Sequence, residues 1–225
     1  MPSTDGRAHA HTPSLRDVFD RDSLADTRVR VEAHRSVYAT GDHDDSMYLI
    51  ESGQVKVPMT SAEGKDCLLA VYTTGDVFGE SCFTGTGKRF ESATAMQPTL
   101  IRKASRRDFL AAVESTSAMD LLLQHLAARV AERQLAVFDL VTMESERRLA
   151  KILLDFAERF GTPDGEYLRL EPRISHEELS QIIGTTRPRV TAFIQHFRAL
   201  GVVRTEGRAM RIHRQKMRAY LSREG

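Results

Sequence analysis

Hydrophobic and polar positions change period several times along this chain, and each change marks an element. Leu15, Val18, Phe19 and Leu24 predict a short amphipathic segment over 15–24. From 29 to about 103 the pattern becomes short alternating runs, at 29–31, 36–38, 47–50, 54–58, 67–72, 93–95 and 99–102. Turn signals separate them: Gly41-Asp42, Ser52-Gly53, Glu63-Gly64-Lys65, Gly75-Asp76, and the glycines at 85 and 87. Many short strands punctuated in this way predict a β-sandwich or barrel rather than a βαβ fold. Residues 106–113 read as a short helix.

The period then lengthens. Residues 117–143 contain neither glycine nor proline, and Met119, Leu123, Leu126, Val130, Val137 and Leu140 follow at four, three, four, seven and three residues. That is a heptad seam with one apolar position missing, and Arg133 falls in the gap. A helix of this kind either pairs with a second copy of itself or packs along its own domain. Residues 144–160 form another amphipathic pattern, and Gly-Thr-Pro-Asp-Gly at 161–165 reads as a turn into the last segment.

Residues 174–201 read as two helices joined by a tight turn. Ser175 and Glu178 have the spacing of a capping box, with Leu179, Ile182 and Ile183 as the buried face. Gly184 breaks the helix. Thr185 or Thr186 caps the next one, and Pro188 falls in its first turn, where a missing N–H costs nothing. Val190, Phe193, Ile194 and Phe197 form its buried stripe, leaving Arg187, Arg189 and Thr191 outward in its first turns. The runs 202–205 and 210–212 around Glu206-Gly207-Arg208 add a hairpin. Such an arrangement is that of a winged helix-turn-helix, whose second helix enters a DNA major groove and reads base edges with its N-terminal side chains. The alternative is an ordinary helical hairpin with solvated arginines.

Charge distribution favours the first reading. Residues 1–143 carry 16 basic and 20 acidic side chains, residues 144–225 carry 16 and 11, and residues 173–225 carry 11 and 4. A basic end on a near-neutral chain points to a polyanionic partner for that end. With 225 residues there is room for one large or two small domains. Two cysteines, Cys67 and Cys82, are too few for a disulfide scaffold or a four-cysteine iron–sulfur cluster. They read as small buried residues or a redox pair. No apolar run approaches the roughly 18 residues of a membrane span, and the start lacks a signal-peptide core. A cytoplasmic, soluble protein is expected, with residues 1–14 a polar, flexible tail that contains His9 and His11. His43 beside Asp44, Asp45 and Glu51 lacks the second nearby histidine of a metal site. No catalytic triad, phosphate loop or carboxylate pair stands out, so no enzyme activity is expected.

The order of motifs resembles the cyclic-AMP receptor / fumarate-nitrate regulator (Crp/Fnr) superfamily of bacterial transcription factors. The resembling stretches are Gly41-Asp42, YLIESGQV at 48–55, GDVFGE at 75–80, SATA at 92–95 and ELSQIIGTTR at 178–187. The resemblance implies an α+β chain: a cyclic-nucleotide-binding β-roll of jelly-roll type (15–116), a dimerisation helix (117–143) and a winged helix-turn-helix (144–225). It also implies a homodimer on a palindromic double-stranded DNA site, with RNA polymerase as a partner.

By the same resemblance an effector binds between roll and helix, near Gly79, Glu80, Ser81, Arg89, Ser92, Ala93, Arg133 and Gln134. In cyclic-nucleotide-binding members the Gly-Glu pair meets the ribose, and a downstream Arg-Ser-Ala segment holds the cyclic phosphate. Here that segment is Glu91-Ser92-Ala93, and a glutamate there repels a phosphate. Arg89, two residues earlier, shares the strand face of Glu91 and is a displaced substitute. Counted back from Arg148-Leu149-Ala150, the family's adenine-contacting Thr-Ser pair falls on Arg133 and Gln134. A charge on the seam needs a partner, either an anionic effector or an acidic group across the dimer; otherwise it snorkels to water. Cyclic-AMP recognition of the usual kind is therefore not expected. A modified nucleotide, a cyclic dinucleotide, another anion or no small ligand remain open.

On the DNA side Arg187 matches the family's first guanine-reading arginine, while Pro188 and Ala192 replace the other two base-reading positions. A different half-site, keeping one guanine contact, is expected. Ser175, His176, Thr185, Thr186, Arg189, Thr191, Arg204 and Arg208 are the further candidates for base or phosphate contact. A ligand-binding signalling protein whose helical end docks another protein is the alternative; steep salt dependence separates DNA binding from it.

Overall fold

Eight short strands in the N-terminal half make two facing antiparallel sheets. They are β1 (Arg28–Val31), β2 (Ser36–Tyr38), β3 (Ser46–Ser52), β4 (Gln54–Thr60), β5 (Asp66–Thr73), β6 (Val77–Phe78), β7 (Ala93–Ala95) and β8 (Thr99–Ser105). One sheet runs β1-β8-β3-β6 and the other β2-β7-β4-β5. The computed structural model describes residues 14–20, 24, 28–171, 174–207 and 209–222. The expected tail up to residue 13, including His9 and His11, and the wing residue Arg208 lie outside the described residues.

Strand β3 shows how the sequence pattern builds the roll. Successive side chains on a strand point to opposite faces, yet Met47, Tyr48, Leu49 and Ile50 are all buried. Tyr48 and Ile50 face the interior between the sheets, with Tyr38, Phe78 and Ile101. Met47 and Leu49 face the other way, under a cover of Leu15, Val18, Phe19, Phe109 and Val113. That cover is the 3-10 turn Leu15–Asp20 and helix α1 (Arg106–Ser115), capped by Ser105, whose hydroxyl accepts from the Asp108 N–H at 3.1 Å. The run is apolar throughout because both faces are covered. Strand β6 is absent from the sequence reading because two residues cannot display an alternation. Cys82 is buried but Cys67 is exposed, against the expectation of two buried thiols.

Helix α2 (Met119–Thr142) runs along the roll. An outer stripe of Leu123, Ala127, Val130, Gln134, Val137 and Val141, spaced alternately by four and three residues, is exposed, and so are Met119, Leu135, Phe138 and Leu140. Of the predicted seam, Met119, Leu123, Val130, Val137 and Leu140 are exposed, while Leu126 packs partly against the roll's own core and Arg133 turns inward.

Helix α3 (Ser145–Phe160), strands β9 (Thr162–Asp164) and β10 (Tyr167–Leu170), helices α4 (His176–Ile183) and α5 (Arg187–Ala199), strands β11 (Val203–Glu206) and β12 (Ala209–His213), and helix α6 (Arg214–Ser222) complete the chain. The stretch read as a turn at 161–165 is mostly strand β9, and the hairpin β11–β12 belongs to a four-stranded sheet β11-β12-β10-β9. Pro163 sits on the edge strand, where the missing N–H does no harm, and the Gly/Pro-rich composition hides the strand from pattern reading. Helix α6, also unread, packs Met217 into the core.

The C-terminal core gathers Leu149, Leu153, Leu179, Ile183, Val190 and Phe197, and it extends to Leu68 and Val71 of β5. An ion pair from Lys56 to Glu178, 2.7 Å, and another from Arg159 to Asp76, 3.2 Å, border this contact. The two halves of the chain therefore share apolar surface. Leu153, 1% exposed at the centre of α3, tests the core: Leu153→Ala should lower unfolding free energy by about 2–5 kcal/mol in urea titration. A loss under about 0.5 kcal/mol would place the residue outside a close-packed core.

Candidate effector pocket and nucleic-acid interface

The interior of the roll beneath α2 holds a network of buried charges. Gly79 (φ 99°) turns the chain tightly after β6; a Cβ there would lie 2.8 Å from the Ser46 carbonyl oxygen. The 3-10 turn Glu80–Thr84 follows and brings Glu80 and Ser81 to the network. Arg89 is 2% exposed and stacks over the Tyr38 ring at 4.1 Å. Its Nη1 donates to the Gly79 carbonyl and to Ser81 Oγ, both at 2.7 Å. Nη2 donates to Asp44 at 3.1 Å and to the Ser46 carbonyl, and Nε donates to Asp44 at 3.3 Å. A guanidinium has five N–H donors, so every donor of Arg89 meets a protein acceptor.

Asp44 also accepts from the Tyr48 hydroxyl at 2.6 Å and pairs with Lys103 at 3.3 Å. Burial raises its pKa, but the Tyr48 hydrogen bond and the Arg89 and Lys103 charges outweigh it and hold the carboxyl below its ordinary value. Glu91 is 5% exposed and accepts from Ser81 Oγ at 2.6 Å and Tyr38 OH at 3.1 Å, while its Oε2 is buried without a hydrogen-bond partner. The predicted glutamate and the displaced arginine thus both occupy the interior, bridged by Ser81.

Glu80 faces α2. His125 Nε2 lies 2.7 Å from its Oε1, and Arg129 Nε donates to the same oxygen at 2.9 Å. Arg129 also donates to the Val77 carbonyl at 3.1 Å and stacks over Tyr72 at 4.6 Å. Burial raises the Glu80 pKa, yet the His125 hydrogen bond and the Arg129 charge outweigh it, leaving the carboxyl below its ordinary value. Burial and the nearby Glu80 charge push the Tyr72 hydroxyl up to about 12. Arg133 donates to the Leu69 carbonyl and approaches Tyr72 OH at 3.5 Å. Within the chain its partners are thus on its own roll.

Of the residues proposed for the effector, Gly79, Glu80, Ser81 and Arg89 come together, and Arg133 adjoins them through Tyr72. Ser92 Oγ accepts from the Thr40 N–H at 3.0 Å instead, Ala93 is buried in β7 opposite Tyr38, and Gln134 lies on the outer stripe. Tyr38, Asp44, His125 and Arg129 were missed. His125, Arg129 and Arg133 recur every four residues, so a polar ladder on one face of an otherwise apolar helix was the available signal.

At the other end, the α5 N-terminus is open. Arg187 and Arg189 are exposed, and neither has a carboxylate partner among the described residues. Arg189 lies over the Phe193 ring at 5.6 Å. Thr186 is the N-cap residue, without a side-chain capping bond. Thr191 Oγ1 donates to the Arg187 carbonyl at 3.1 Å and lies 2.9 Å from His176 Nδ1, tying α5 to the start of α4. Ser175 forms the predicted capping box with Glu178, Gly184 takes the left-handed turn, and the Thr185 N–H donates to the Ser180 carbonyl at 3.0 Å. Arg204 on β11 is exposed and stacks over Tyr167 at 4.7 Å.

A β-roll, a long helix and a winged helix-turn-helix in this order define a transcription regulator of the Crp/Fnr type. The chain matches the cyclic nucleotide-binding domain over residues 28–116 and the Crp-like helix-turn-helix domain over 147–220. It is 33% identical over 180 residues to the CRP-like cAMP-activated global transcriptional regulator of Mycobacterium tuberculosis, covering 79% of this chain and 80% of that one. It is 30% identical over 174 residues to the cyclic AMP receptor protein of Thermus thermophilus, covering 76% of each. In fold it resembles a CooA mutant from Carboxydothermus hydrogenoformans, with a TM-score of 0.74, 23% identity and coverage of 93% and 96%. The chain belongs to the Crp/Fnr superfamily and is a DNA-binding transcription regulator. Among the described residues no helix is long and apolar enough to cross a membrane.

The depressed carboxyls set an acid limit. Glu80 and Asp44 titrate below their ordinary values of 4.5 and 3.8. Their ionised forms therefore stabilise the fold at neutral pH, and that stability is lost as pH falls from the ordinary range through the lower folded values. Glu80→Gln should lower the neutral melting temperature and flatten its decline below about pH 5. Parallel acid limbs for the variant and the parent would show that the pairing contributes nothing.

Proposed function

We propose that the chain acts as a homodimer that binds a palindromic DNA site, with α5 of each copy in the major groove. The observation that carries this reading is the pair of outward arginines at the start of α5, Arg187 and Arg189, which have no carboxylate partner among the described residues. Against the roll Arg89 and Arg129 are paired with Asp44 and Glu80; here the positive charge is left for a phosphate or a guanine edge. Arg187 reads a guanine and Arg189 contacts base or phosphate. Thr186 and Thr185 supply amides and hydroxyls for phosphates, and Arg204 contacts the backbone from the wing. The outer stripe of α2, with Val137 61% and Val141 79% exposed, is the face that a second copy covers.

For the roll, we propose that cyclic AMP is not read in the family's usual way. Arg89 offers no free donor to a cyclic phosphate, Glu91 adds a negative charge beside it, and Glu80 is engaged by His125 and Arg129. A ligand that binds between roll and helix must compete with the Glu80 contacts, and it shifts the protein by its differential affinity for the gripped and released arrangements. A cyclic dinucleotide is one such ligand. The complete satisfaction of Arg89 favours a second reading, a regulator that works without an effector.

Selection of genomic fragments by the purified protein, at several salt concentrations and with a panel of cyclic mono- and dinucleotides, separates these readings. A palindrome sharpened by one nucleotide supports the first. A palindrome indifferent to the whole panel supports the second, and no selected motif at any salt would rule out both. On the selected site Arg187→Ala should cost about 1–3 kcal/mol and relax the preference at one base pair. Arg204→Ala should weaken all sequences alike and reduce the salt slope by about one; the reverse pattern would exchange the two roles. Val137→Asp should shift the sedimentation mass from dimer to monomer, and a variant that remains dimeric would place the contact elsewhere.

A further inference from the structure

The junction between α2 and the DNA-binding half is short, and one side chain in it bonds to the ends of both α2 and α4. Helix α2 ends at Thr142 and α3 begins at Ser145. Between them Met143 and Glu144 are extended, with φ/ψ of −114°/139° and −62°/148°. Two extended residues between helices are soft dihedrals, and backbone geometry alone permits a range of helix–helix angles.

Arg148, in the first turns of α3, bridges this joint. Its Nη1 donates to the carbonyls of Leu140, at 3.3 Å, and Met143, both at the C-terminal end of α2. Its Nε and Nη2 donate at 3.0 and 2.8 Å to the carbonyl of Ile183, the last residue of α4. Carbonyls at helix ends lack intrahelical partners and lie at the negative end of the helix dipole, so a guanidinium satisfies both needs. One planar group thereby ties the end of the long helix to the turn of the helix-turn-helix. The geometry is close on the other side as well. A Cβ on Gly184, which follows Ile183, would lie 3.0 Å from Leu140 Cδ1. The Lys151–Asp139 ion pair joins α3 to α2 but does not reach α4.

We infer that Arg148 is a positioning residue that sets the angle at which α2 presents α5, and that it thereby fixes the half-site spacing the dimer accepts. This rests on the dimeric, palindrome-binding reading above. Two half-sites move apart by about 3.4 Å and rotate by roughly a tenth of a turn for each added base pair, so a rigid joint discriminates between spacers and a loose one does not. A lysine at this position keeps the charge but lacks the planar fork that reaches three carbonyls together.

The test uses the full-length protein with its own selected palindrome, and variants of that site with the centre shortened or lengthened by one and two base pairs. The parent should prefer one spacing by about tenfold or more, which corresponds to about 1.4 kcal/mol. Arg148→Lys should lose about tenfold on the best spacing while its affinities across spacings converge, with base preference inside each half-site unchanged. Lys151→Met, which removes the α3–α2 ion pair but leaves the Arg148 bridge to α4 in place, should keep the parent's spacing profile. Melting curves establish that both variants fold, and Arg148→Gln is a second variant should the lysine form unfold. Equal loss on every spacing, or no loss, would overturn the inference and leave DNA binding in place. A parent indifferent to spacing would overturn it too. A parent that binds no symmetric site would remove the dimeric reading and the inference with it.

Discussion

Helix α2 has two neighbours to satisfy and one 3.6-residue period with which to do it. On the roll side His125, Arg129 and Arg133 form a ladder whose charges and donors meet Glu80, the Val77 carbonyl, Tyr72 and the Leu69 carbonyl. A cation against a low-dielectric wall is tolerable only with such partners. On the opposite side Leu123, Val130, Val137 and Val141 remain exposed. A rotation of the helix by one residue position would break both arrangements together. Whatever alters the grip on Glu80 therefore acts on the surface that a second copy would meet.

The interior beneath that helix combines an apolar core with a network of paired charges. Arg89 is fully engaged, with Asp44 ionised beside it and Tyr38 stacked on it. Removing one partner of a buried pair leaves the other uncompensated, which makes the network costly to break and rigid while it stands. Glu91 is its one loose end, with Oε2 buried and unbonded. At the DNA-binding end Arg187 and Arg189 remain solvent-exposed, with no carboxylate partner among the described residues. Arg89 and Arg129 are paired inside the chain, whereas the start of α5 keeps its positive charge exposed.

Strand β5 links these regions. Tyr72 faces the roll interior and the arginines of α2, while Leu68 and Val71 pack with the C-terminal core. Lys56 on the neighbouring strand pairs with Glu178, which at the same time completes the cap of α4. A shift of α2 against β5 is therefore felt at the first helix of the helix-turn-helix through a packed strand as well as through the joint at Arg148.

Much of this was legible in the residues because it depends on local rules. The capping box at Ser175, the left-handed glycine at 184 and the apolar spacing of α3 and α5 are properties of a few consecutive residues, and the structure contains all of them. The strands long enough to alternate were legible too; β6, with two residues, and β9, masked by Pro163, were not. The side-chain partners were beyond reach for a different reason. Whether Arg133 turns to the roll or outward, whether Arg89 meets Glu91 or Asp44, and which carbonyls Arg148 joins depend on residues 35 to 64 positions away in three of these contacts. Periodicity states which face a residue occupies, but not what stands opposite it. Only the folded chain, by bringing β3, β5, α2 and α4 together, decided which charges were paired and which were left exposed.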